Sequence, residues 1–423
     1  MRRASDPAQL LEDIQTDFLR SEEEQKYTLA KPCQKCFLVP IGQIAQGGKR
    51  EMWNKWVVCV LTLILSMTVM ACEANPATKS QPAQQTLPYR MEVLADQLDV
   101  PWAMDIASDG RIFFTERPGR MRVIQSGKLL PKPLISFPAP FISEGEGGLL
   151  GLVLDPDFMK NHYLYVYHTY REGGATFNRV LRLREINNAA QIDKVLLDKI
   201  PGSSIHNGGR IKIGPDQRLY ITTGDAHEPM LAQDQTSLAG KILRINLDGT
   251  IPADNPFIGS PVYSYGHRNS QGIAWYPDTR ILYSSEHGQT AHDEINRIEP
   301  GANYGWPVIS GEQKKEGMKT PLLQSGDTTW APSGMTFVSK GSWKGTLLVA
   351  NLRGQQLQKI SLDPARPDTV LEAATLFQDE FGRLRDVVEG KDGTLYLLTN
   401  NRDGRGNPRE GDDKIIRLVP IQP

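Results

Sequence analysis

The sequence has little cysteine, no excess of charge of either sign and few long apolar runs. The last of its four cysteines is Cys72, so the following 351 residues can form neither a disulfide framework nor a cysteine-ligated metal site. Lysine and arginine number 48 against 49 aspartate and glutamate, a net charge of −1. This balance argues against a nucleic-acid partner, because phosphate binding needs a basic face. Hydrophobic residues make up 39%, which is ordinary for a folded protein.

The one long apolar run, residues 56–70, is short for a membrane-spanning helix, which needs about 20 residues. It follows Arg50 and Lys55, as the hydrophobic core of a signal peptide follows its basic flank. The run ends in Ala71-Cys72, which resembles a bacterial lipoprotein signal, and a plain signal peptide is the alternative. We expect an exported protein, periplasmic or anchored to the outer membrane, whose only membrane contact is a lipid on Cys72.

Composition divides the chain into four predicted segments. Met52 would begin a signal peptide of normal length, so we interpret the residues before it as a mis-called extension. The Cys33 and Cys36 pair lies in this extension and has no assigned function, since one such pair is a weak zinc signal. The segments are the extension 1–51, the lipoprotein-type signal peptide 52–71, a flexible tether 72–89 and the main, catalytic domain 90–423.

Three short strand-like phrases recur six times in the main domain. A typical unit contains residues 209–213, 219–223 and 241–245, which are rich in β-branched and aromatic residues and separated by turns. Adding one outer strand per unit gives four-stranded blades. We therefore predict an all-β fold, a six-bladed β-propeller of four-stranded antiparallel blades. An all-β sandwich is the alternative, but it needs no six equivalent units.

Equivalent positions in equivalent blades point to the same end of the propeller axis. The residues just before the innermost strands should therefore converge on one central pocket. Because guanidinium groups match carboxylates, several arginines there indicate an anionic, planar ligand. The residues expected at or near this pocket are Glu146, His206, Arg268, Asn269, Arg353, Arg383 and Arg385.

His206 is the candidate general base. It stands at the predicted pocket rim, followed by Gly208 and Gly209, which allow a tight turn. Asp225 ends the adjacent strand of the same blade and could orient the imidazole and raise its basicity. A histidine is more often structural than catalytic, and that interpretation is the alternative.

The loop 285–294 combines carboxylates with free carbonyls, a donor set suited to calcium. A solvated turn is the alternative interpretation.

Six ordered motifs and one short phrase between residues 145 and 386 carry a family resemblance. They are Gly145–Gly151 with Asp155–Phe158, His206–Arg210, Gly266–Gly272, Asp293–Asn296, Asn303–Pro307 and Arg383–Asp386. At these residues the sequence resembles the glucose/sorbosone dehydrogenase family, and within it the soluble aldose sugar dehydrogenases that use pyrroloquinoline quinone. The resemblance implies a six-bladed propeller that oxidises aldoses at C1 to lactones, by proton abstraction and hydride transfer to the quinone.

The resemblance also implies roles for single residues. His206 would be the base and Asp225 the residue that holds it. The Gly288 and Gln289 carbonyls would hold a calcium ion at the quinone, and Glu294 with the Tyr304 carbonyl would hold a second, structural calcium. The expected cofactor contacts are Glu146, Arg268, Asn269, Arg353, Arg383 and Arg385.

Three positions depart from the family pattern. Glu146 stands where glucose-specific relatives carry glutamine near the sugar, so glucose specificity is not transferred. Arg353 replaces a lysine of the best-known relatives, and Gln289 replaces a proline of some.

The expected partners are an aldose sugar and an unidentified electron acceptor, and the protein is expected to be a monomer or homodimer. The alternatives are a calcium-dependent propeller lactonase or other hydrolase, and a non-catalytic sugar-binding propeller.

Overall fold

The computed structural model describes residues 87–421. The predicted extension, the signal peptide, Cys72 and most of the tether lie outside this range. Within residues 87–421 the chain forms 25 strands in six sheets, one short α-helix and one 3₁₀ helix. The prediction of a six-bladed β-propeller is confirmed.

The strands follow one another along the chain in blade order. The first strand of the described residues is β1 (Tyr89–Ala95). Blade 1 contains β2 (Pro101–Ile106), β3 (Ile112–Glu116), β4 (Arg120–Gln125), β5 (Lys128–Leu129) and β6 (Ile135–Ser136). Blade 2 contains β7 (Leu149–Leu154), β8 (Tyr163–Glu172), β9 (Ala175–Ile186) and β10 (Ala189–Pro201). Blade 3 contains β11 (Ile211–Ile213), β12 (Leu219–Thr222), β13 (Lys241–Ile245) and β14 (Val262–Tyr265).

The second half of the ring repeats the pattern. Blade 4 contains β15 (Ser270–Trp275), β16 (Leu282–Glu286), β17 (Glu294–Ile298) and β18 (Leu323–Gln324). Blade 5 contains β19 (Pro332–Phe337), β20 (Leu347–Asn351), β21 (Gln356–Asp363) and β22 (Arg366–Leu376). Blade 6 contains β23 (Leu384–Glu389), β24 (Leu395–Thr399) and β25 (Ile415–Pro420). The helices are α1 (Phe158–Asn161) and the 3₁₀ helix Pro229–Ala232.

Burial explains which strands the sequence pattern located. The second strand of each blade is largely covered on both faces and is therefore rich in apolar residues; every residue of β3 and β12 is buried. The outermost strands are less buried, and every residue of β22 is exposed or half-buried. The three inner strands of each blade were therefore predictable, whereas the outer strands were expected only from the count.

The ring is closed by pairing of the two ends of the domain. β1 runs antiparallel to β25, with Tyr89 opposite Pro420 and Val93 opposite Ile416. The first strand thus forms the outer edge of the last blade, which the sequence analysis did not foresee. This closure holds the two ends of the domain in one hydrogen-bonded sheet.

The innermost strands pack around the axis. β2 contacts both β7 and β23, and β19 contacts both β15 and β23. The loops that precede these strands open at the same end of the axis, where they surround a cavity. In residues 87–421 no helix is long and apolar enough to cross a membrane.

Candidate active site

The cavity at this end of the axis has a volume of about 620 Å³. It brings together the larger part of the predicted site. Its lining includes Glu146, His206, Arg268, Gly288, Gln289, Arg353, Arg383 and Arg385. The other predicted residues, Asp225, Asn269, Glu294 and Tyr304, are not part of the lining and lie behind or beside it.

His206 and Asp225 form a buried dyad in the cavity wall. The Nδ1 atom of His206 lies 2.8 Å from Oδ1 of Asp225. Because an ionised carboxylate only accepts hydrogen bonds, Nδ1 carries the proton and Nε2 is left with a free lone pair. Asp225 is in turn fixed by the Trp306 indole, whose Nε1 donates to Oδ2 over 2.8 Å. The dyad therefore has the tautomer that a general base requires.

The backbone at His206 is unusual for a residue with a side chain. His206 has φ of 55°, in the left-handed region, and Gly208 and Gly209 follow with φ of 60° and 100°. This region costs free energy for non-glycine residues and is common at functional sites. The two glycines thus allow the tight turn that the sequence predicted.

Asn269 stabilises the turn that follows His206. It is fully buried, and its Oδ1 atom accepts the Gly208 N–H over 3.0 Å. Its Nδ2 atom has no hydrogen-bond partner within the described residues. The side chain therefore positions the histidine loop and retains one free donor.

The cavity lining carries an excess of positive charge. Six arginines face it against three carboxylates, Glu146, Asp293 and Asp403. The arginines are Arg117, Arg268, Arg353, Arg383, Arg385 and Arg405. Such a wall fits a polyanionic ligand.

One arginine of the lining is buried without a carboxylate in hydrogen-bond contact. Burial, together with the positive charges of Arg383 and Arg117, lowers the pKa of Arg385 to about 9, although the Asp403 carboxylate opposes the shift. Arg385 is held only by neutral groups, with Nη1 donating to Gln271 Oε1 over 2.6 Å and Nη2 donating to Asn400 Oδ1 over 3.0 Å.

Hydrogen-bond donors that lack a partner also indicate an anionic ligand. Burial also lowers the pKa of Arg268, and its Nε atom has no partner among the described residues. The Nε atom of Arg117 is unpaired in the same way. These unsatisfied donors fit a ligand rich in carboxylates.

Arg383 and Arg353 differ from this pattern. Arg383 forms a two-point contact with Oδ2 of Asp403, through Nε at 3.0 Å and Nη2 at 2.8 Å. Arg353 is exposed at the rim, and its guanidinium makes no hydrogen bond or ion pair with residues 87–421.

Glu146 uses both carboxylate oxygens on protein groups. Oε1 lies 2.7 Å from Nη1 of Arg405, and Oε2 accepts the His206 N–H over 2.9 Å. Burial alone would raise the pKa of Glu146, but Arg405 and the His206 N–H outweigh it and hold the pKa below its usual value. Glu146 is therefore an ionised, engaged carboxylate in the wall of the cavity.

The loop that carries Gly288 and Gln289 is tied down by Asp293. Oδ1 of Asp293 accepts the Gly288 N–H over 2.8 Å, and Oδ2 accepts the N–H groups of Trp330 and Ala331. The Gly288 carbonyl accepts Nη1 of Arg268 over 2.6 Å. A cation at this carbonyl would bind beside the Arg268 guanidinium, through the second lone pair of the oxygen, or would displace that guanidinium.

Glu294 presents a better-matched set of oxygens. Burial and the neighbouring carboxylate of Glu286 together raise the pKa of Glu294 to about 8. Beside it, the buried Oδ1 atom of Asn296 has no hydrogen-bond partner among the described residues. An orphaned oxygen next to a buried carboxylate fits a cation that prefers oxygen ligands.

Sequence reasoning missed several residues of the wall. Arg117 follows β3 and Arg405 lies in the glycine-rich loop between β24 and β25, outside every motif and outside the ends of the innermost strands. Gln271 lies in one of the motifs but was not assigned to the site, whereas Trp102 stands at a strand end that was expected to converge on the pocket, without an assigned role. His287 also faces the cavity, and burial lowers its pKa to about 4. A search of all loops at this end of the blades would have found the two arginines.

Comparison with known proteins places this propeller among the sugar-oxidising oxidoreductases. The model of the family described as Glucose / Sorbosone dehydrogenase matches residues 98–416. The chain belongs to that family.

Three relatives illustrate the similarity. The chain is 33% identical to aldose sugar dehydrogenase YliI of Escherichia coli, over 74% of this chain and 91% of the relative. It is 29% identical to quinoprotein glucose dehydrogenase B of Acinetobacter calcoaceticus, over 86% of this chain and 95% of that protein. The structure of the PQQ-bound aldose sugar dehydrogenase from Streptomyces coelicolor superposes with a TM-score of 0.71 at 37% identity, covering 78% and 98% of the two chains.

Proposed function

We propose that this enzyme oxidises aldose sugars at C1 to lactones with pyrroloquinoline quinone as its cofactor. The observation that carries the proposal is the His206–Asp225 dyad in the wall of an arginine-rich cavity. The quinone named for the Streptomyces coelicolor relative supports it. A lactonase or a sugar-binding module would have no need for the uncompensated arginines.

His206 receives the proton of the sugar's anomeric hydroxyl. Nε2 of His206 is the acceptor, because Nδ1 is already protonated and bound to Asp225. Asp225 stays ionised, keeps the tautomer fixed and stabilises the imidazolium that forms. The Trp306 indole and the His227 N–H hold Asp225 in place.

The arginines bind and orient the cofactor. Pyrroloquinoline quinone carries three carboxylates and, when bound, supplies the carbon that accepts the C1 hydride. Arg268 and Arg385 would contact these carboxylates with donors that have no carboxylate partner in the protein. Arg353 and Arg383 would complete the positive wall, Asn269 would hold the histidine loop beneath it, and Arg385 would also stabilise negative charge that develops during transfer.

Calcium is part of the proposal in two places. Glu294 and the Tyr304 carbonyl would hold a structural ion, which the orphaned Asn296 oxygen beside Glu294 supports. The Gly288 and Gln289 carbonyls would hold an ion at the cofactor, next to the Arg268 guanidinium that donates to the Gly288 oxygen. Adding calcium to chelator-treated protein should raise Tm, and Glu294→Gln should remove most of that rise.

The export of this enzyme remains a proposal that rests on the sequence. Lipid on Cys72 would hold it at the outer membrane, and cleavage of a plain signal peptide would leave it in the periplasm. Radiolabelled palmitate should be incorporated by the native chain and not by Cys72→Ala.

The decisive experiment measures quinone-dependent dye reduction by the full chain with calcium and a panel of aldoses. His206→Ala should lose activity by about 10³-fold or more, because it removes the proposed base. His227→Ala is the matched control, since this exposed ring lies 6.0 Å from that of His206. A folded protein that binds no quinone would overturn the proposal and favour the hydrolase or binding module.

A further inference from the structure

Glu146 and Arg405 connect two parts of the cavity mouth that lie far apart in sequence. Glu146 precedes β7 in blade 2, and Arg405 lies between β24 and β25 in blade 6. These blades flank blade 1, whose β2 contacts the innermost strand of each. The ion pair of 2.7 Å therefore crosses the mouth above the first blade.

Each oxygen of the Glu146 carboxylate already has a protein partner. Oε1 forms an ion pair with the Arg405 guanidinium, and Oε2 accepts the His206 N–H. Both contacts tie Glu146 to protein groups, and one of those groups is the peptide of the proposed base. The geometry therefore favours a role toward His206 over the cofactor contact expected from the sequence.

The peptide of His206 needs such support. Its left-handed backbone is costly for a residue with a side chain. Its carbonyl accepts the Ala226 N–H over 3.2 Å and its ring is held by Asp225, so the N–H bond to Glu146 is the third fixed point. Without that acceptor the peptide can rotate and carry Nε2 away from its position.

The loop of Glu146 is itself locked against the histidine loop. The Glu146 N–H donates to the Ser204 carbonyl over 2.8 Å. A Cβ on Gly145 would lie only 2.1 Å from that carbonyl oxygen, so the two backbones touch. The carboxylate is therefore delivered to His206 by rigid backbone and not by a flexible side chain alone.

Arg405 is anchored on the other side. Its N–H donates to Oδ1 of Asp403 over 2.8 Å, while Oδ2 of the same carboxylate holds Arg383. The Arg405 side chain is 58% exposed, so its contact with Glu146 depends on this backbone anchor. A chain of polar contacts thus runs from Arg383 to the His206 peptide.

We propose that Glu146 and Arg405 form a clasp that positions His206 for proton abstraction. The inference rests on the proposed function in that His206 is the base. Both are positioning residues, since they act through the histidine peptide and need touch neither sugar nor cofactor.

Four variants of the full chain separate the two contacts. Glu146→Gln and Arg405→Gln each remove the ion pair, and the amide oxygen of the glutamine at 146 can still accept the His206 N–H. Each should lower kcat by about threefold, and the double variant should be no worse than either. Glu146→Ala removes both contacts and should lower kcat by about 30-fold or more, because misplacing a reacting group by about 1 Å is costly. The sugar KM and the quinone Kd should stay within about twofold of wild type.

A second readout needs no activity. The chain has seven histidines, so ¹⁵N-histidine labelling gives few amide signals, and that of His206 is the one lost in His206→Asn. Its amide proton should resonate downfield in wild type, as expected for a bond to a carboxylate. The shift should largely persist in Glu146→Gln and disappear in Glu146→Ala.

The outcomes separate the two hypotheses. Absence of quinone-dependent oxidation in wild type, with the amide shifts as expected, would overturn the proposed function and leave the contact standing. An active wild type with unchanged kcat in Glu146→Ala would overturn the clasp. A raised quinone Kd with unchanged kcat would make Glu146 a cofactor contact instead. If Glu146→Ala does not fold, the two glutamine variants and their double variant decide.

Discussion

Two arginines stand beside the same tryptophan and differ in what compensates their charge. The guanidinium carbons of Arg210 and Arg385 lie 4.3 Å and 5.4 Å from the ring centre of Trp102. Their exposed fractions are 2% and 5%, and burial lowers the pKa of both. Arg210 pairs with the buried carboxylate of Asp386 at 2.8 Å. Arg385 faces the cavity and has only neutral partners.

The comparison distinguishes Arg210, an arginine that stabilises the fold, from Arg385, an arginine suited to bind an anionic ligand. A buried charge with a partner costs little once folded, but removing one partner leaves the other uncompensated. A buried charge without a partner costs stability until an anion arrives. Burial alone therefore does not identify a binding residue, whereas burial without a counter-charge does.

The largest expected effect comes from breaking the paired arginine. Arg210→Met should destabilise the protein by about 3–5 kcal/mol, because it leaves the carboxylate of Asp386 buried and unpaired. Urea unfolding of the metal-free, quinone-free chain measures this loss.

The control removes both charges. The double variant Arg210→Met with Asp386→Leu should recover most of the lost stability, as hydrophobic replacement of buried pairs commonly does. A single variant as stable as wild type would show that Asp386 finds another partner, and Lys212 is the nearest candidate.

The unpaired arginine should behave in the opposite way. Arg385→Met should raise the quinone Kd by about 100-fold, the cost of about two charge-assisted hydrogen bonds. Its unfolding free energy without ligand should be equal to or higher than that of wild type, since a buried charge has gone. Absorbance titration and urea unfolding give the two numbers.

Arg385→Lys is the matched control for charge alone. It should recover part of the affinity and not all, because an ammonium does not form the two-point contact of a guanidinium. If Arg385→Met lowered the unfolding free energy and left the quinone Kd unchanged, Arg385 would be a structural residue like Arg210.

The sequence could predict the ring of blades because its signal is repeated. Six apolar phrases such as 219–223 and 394–398 mark strands buried on both faces, and the spacing fixes their number. The closing strand β1 carries no such signal, because its partner β25 lies more than 300 residues away. Long-range pairing of an exposed edge strand leaves little trace in local composition.

The residues of the site were likewise predictable only where they belong to the repeated pattern. His206, Arg268, Arg383 and Arg385 follow from the ends of repeated strands, whereas Arg117 and Arg405 come from loops with no repeated pattern. The sequence also does not distinguish Arg210 from Arg385, since the partner of each is far along the chain. Only the fold shows which guanidinium has a carboxylate.

A buried carboxylate tests whether negative charge follows the same rule, that a buried charge without a counter-charge lowers stability. Asp413 is fully buried, and burial raises its pKa to about 6. The folded state therefore holds a proton more tightly than the unfolded state, so stability is present at low pH and is lost as pH rises from about 4 to 6. Relative to Asp413→Asn, wild type should lose about 2 kcal/mol between pH 4 and 7.

Unfolding free energies of both proteins at the two pH values give this difference. Parallel pH profiles for wild type and Asp413→Asn would mean that the N–H groups of Asn401 and Arg402 fully stabilise the carboxylate. Backbone hydrogen bonds would then compensate a buried charge as well as a counter-charge does.

The smallest expected effect belongs to an arginine that is neither buried nor paired. Arg353 lies at the exposed rim of the cavity, so water and salt screen its charge. Arg353→Gln should raise the quinone Kd by only about threefold at low ionic strength, in keeping with an exposed ion pair. Raising the salt to about 0.5 M should abolish this difference by screening, while the loss in Arg385→Met should persist because its site excludes ions. Arg353→Lys should match wild type, since a point charge is enough at the rim. A salt-resistant loss in Arg353→Gln would instead mean that the cofactor buries Arg353 on binding, and that exposure in the free protein underestimates its role.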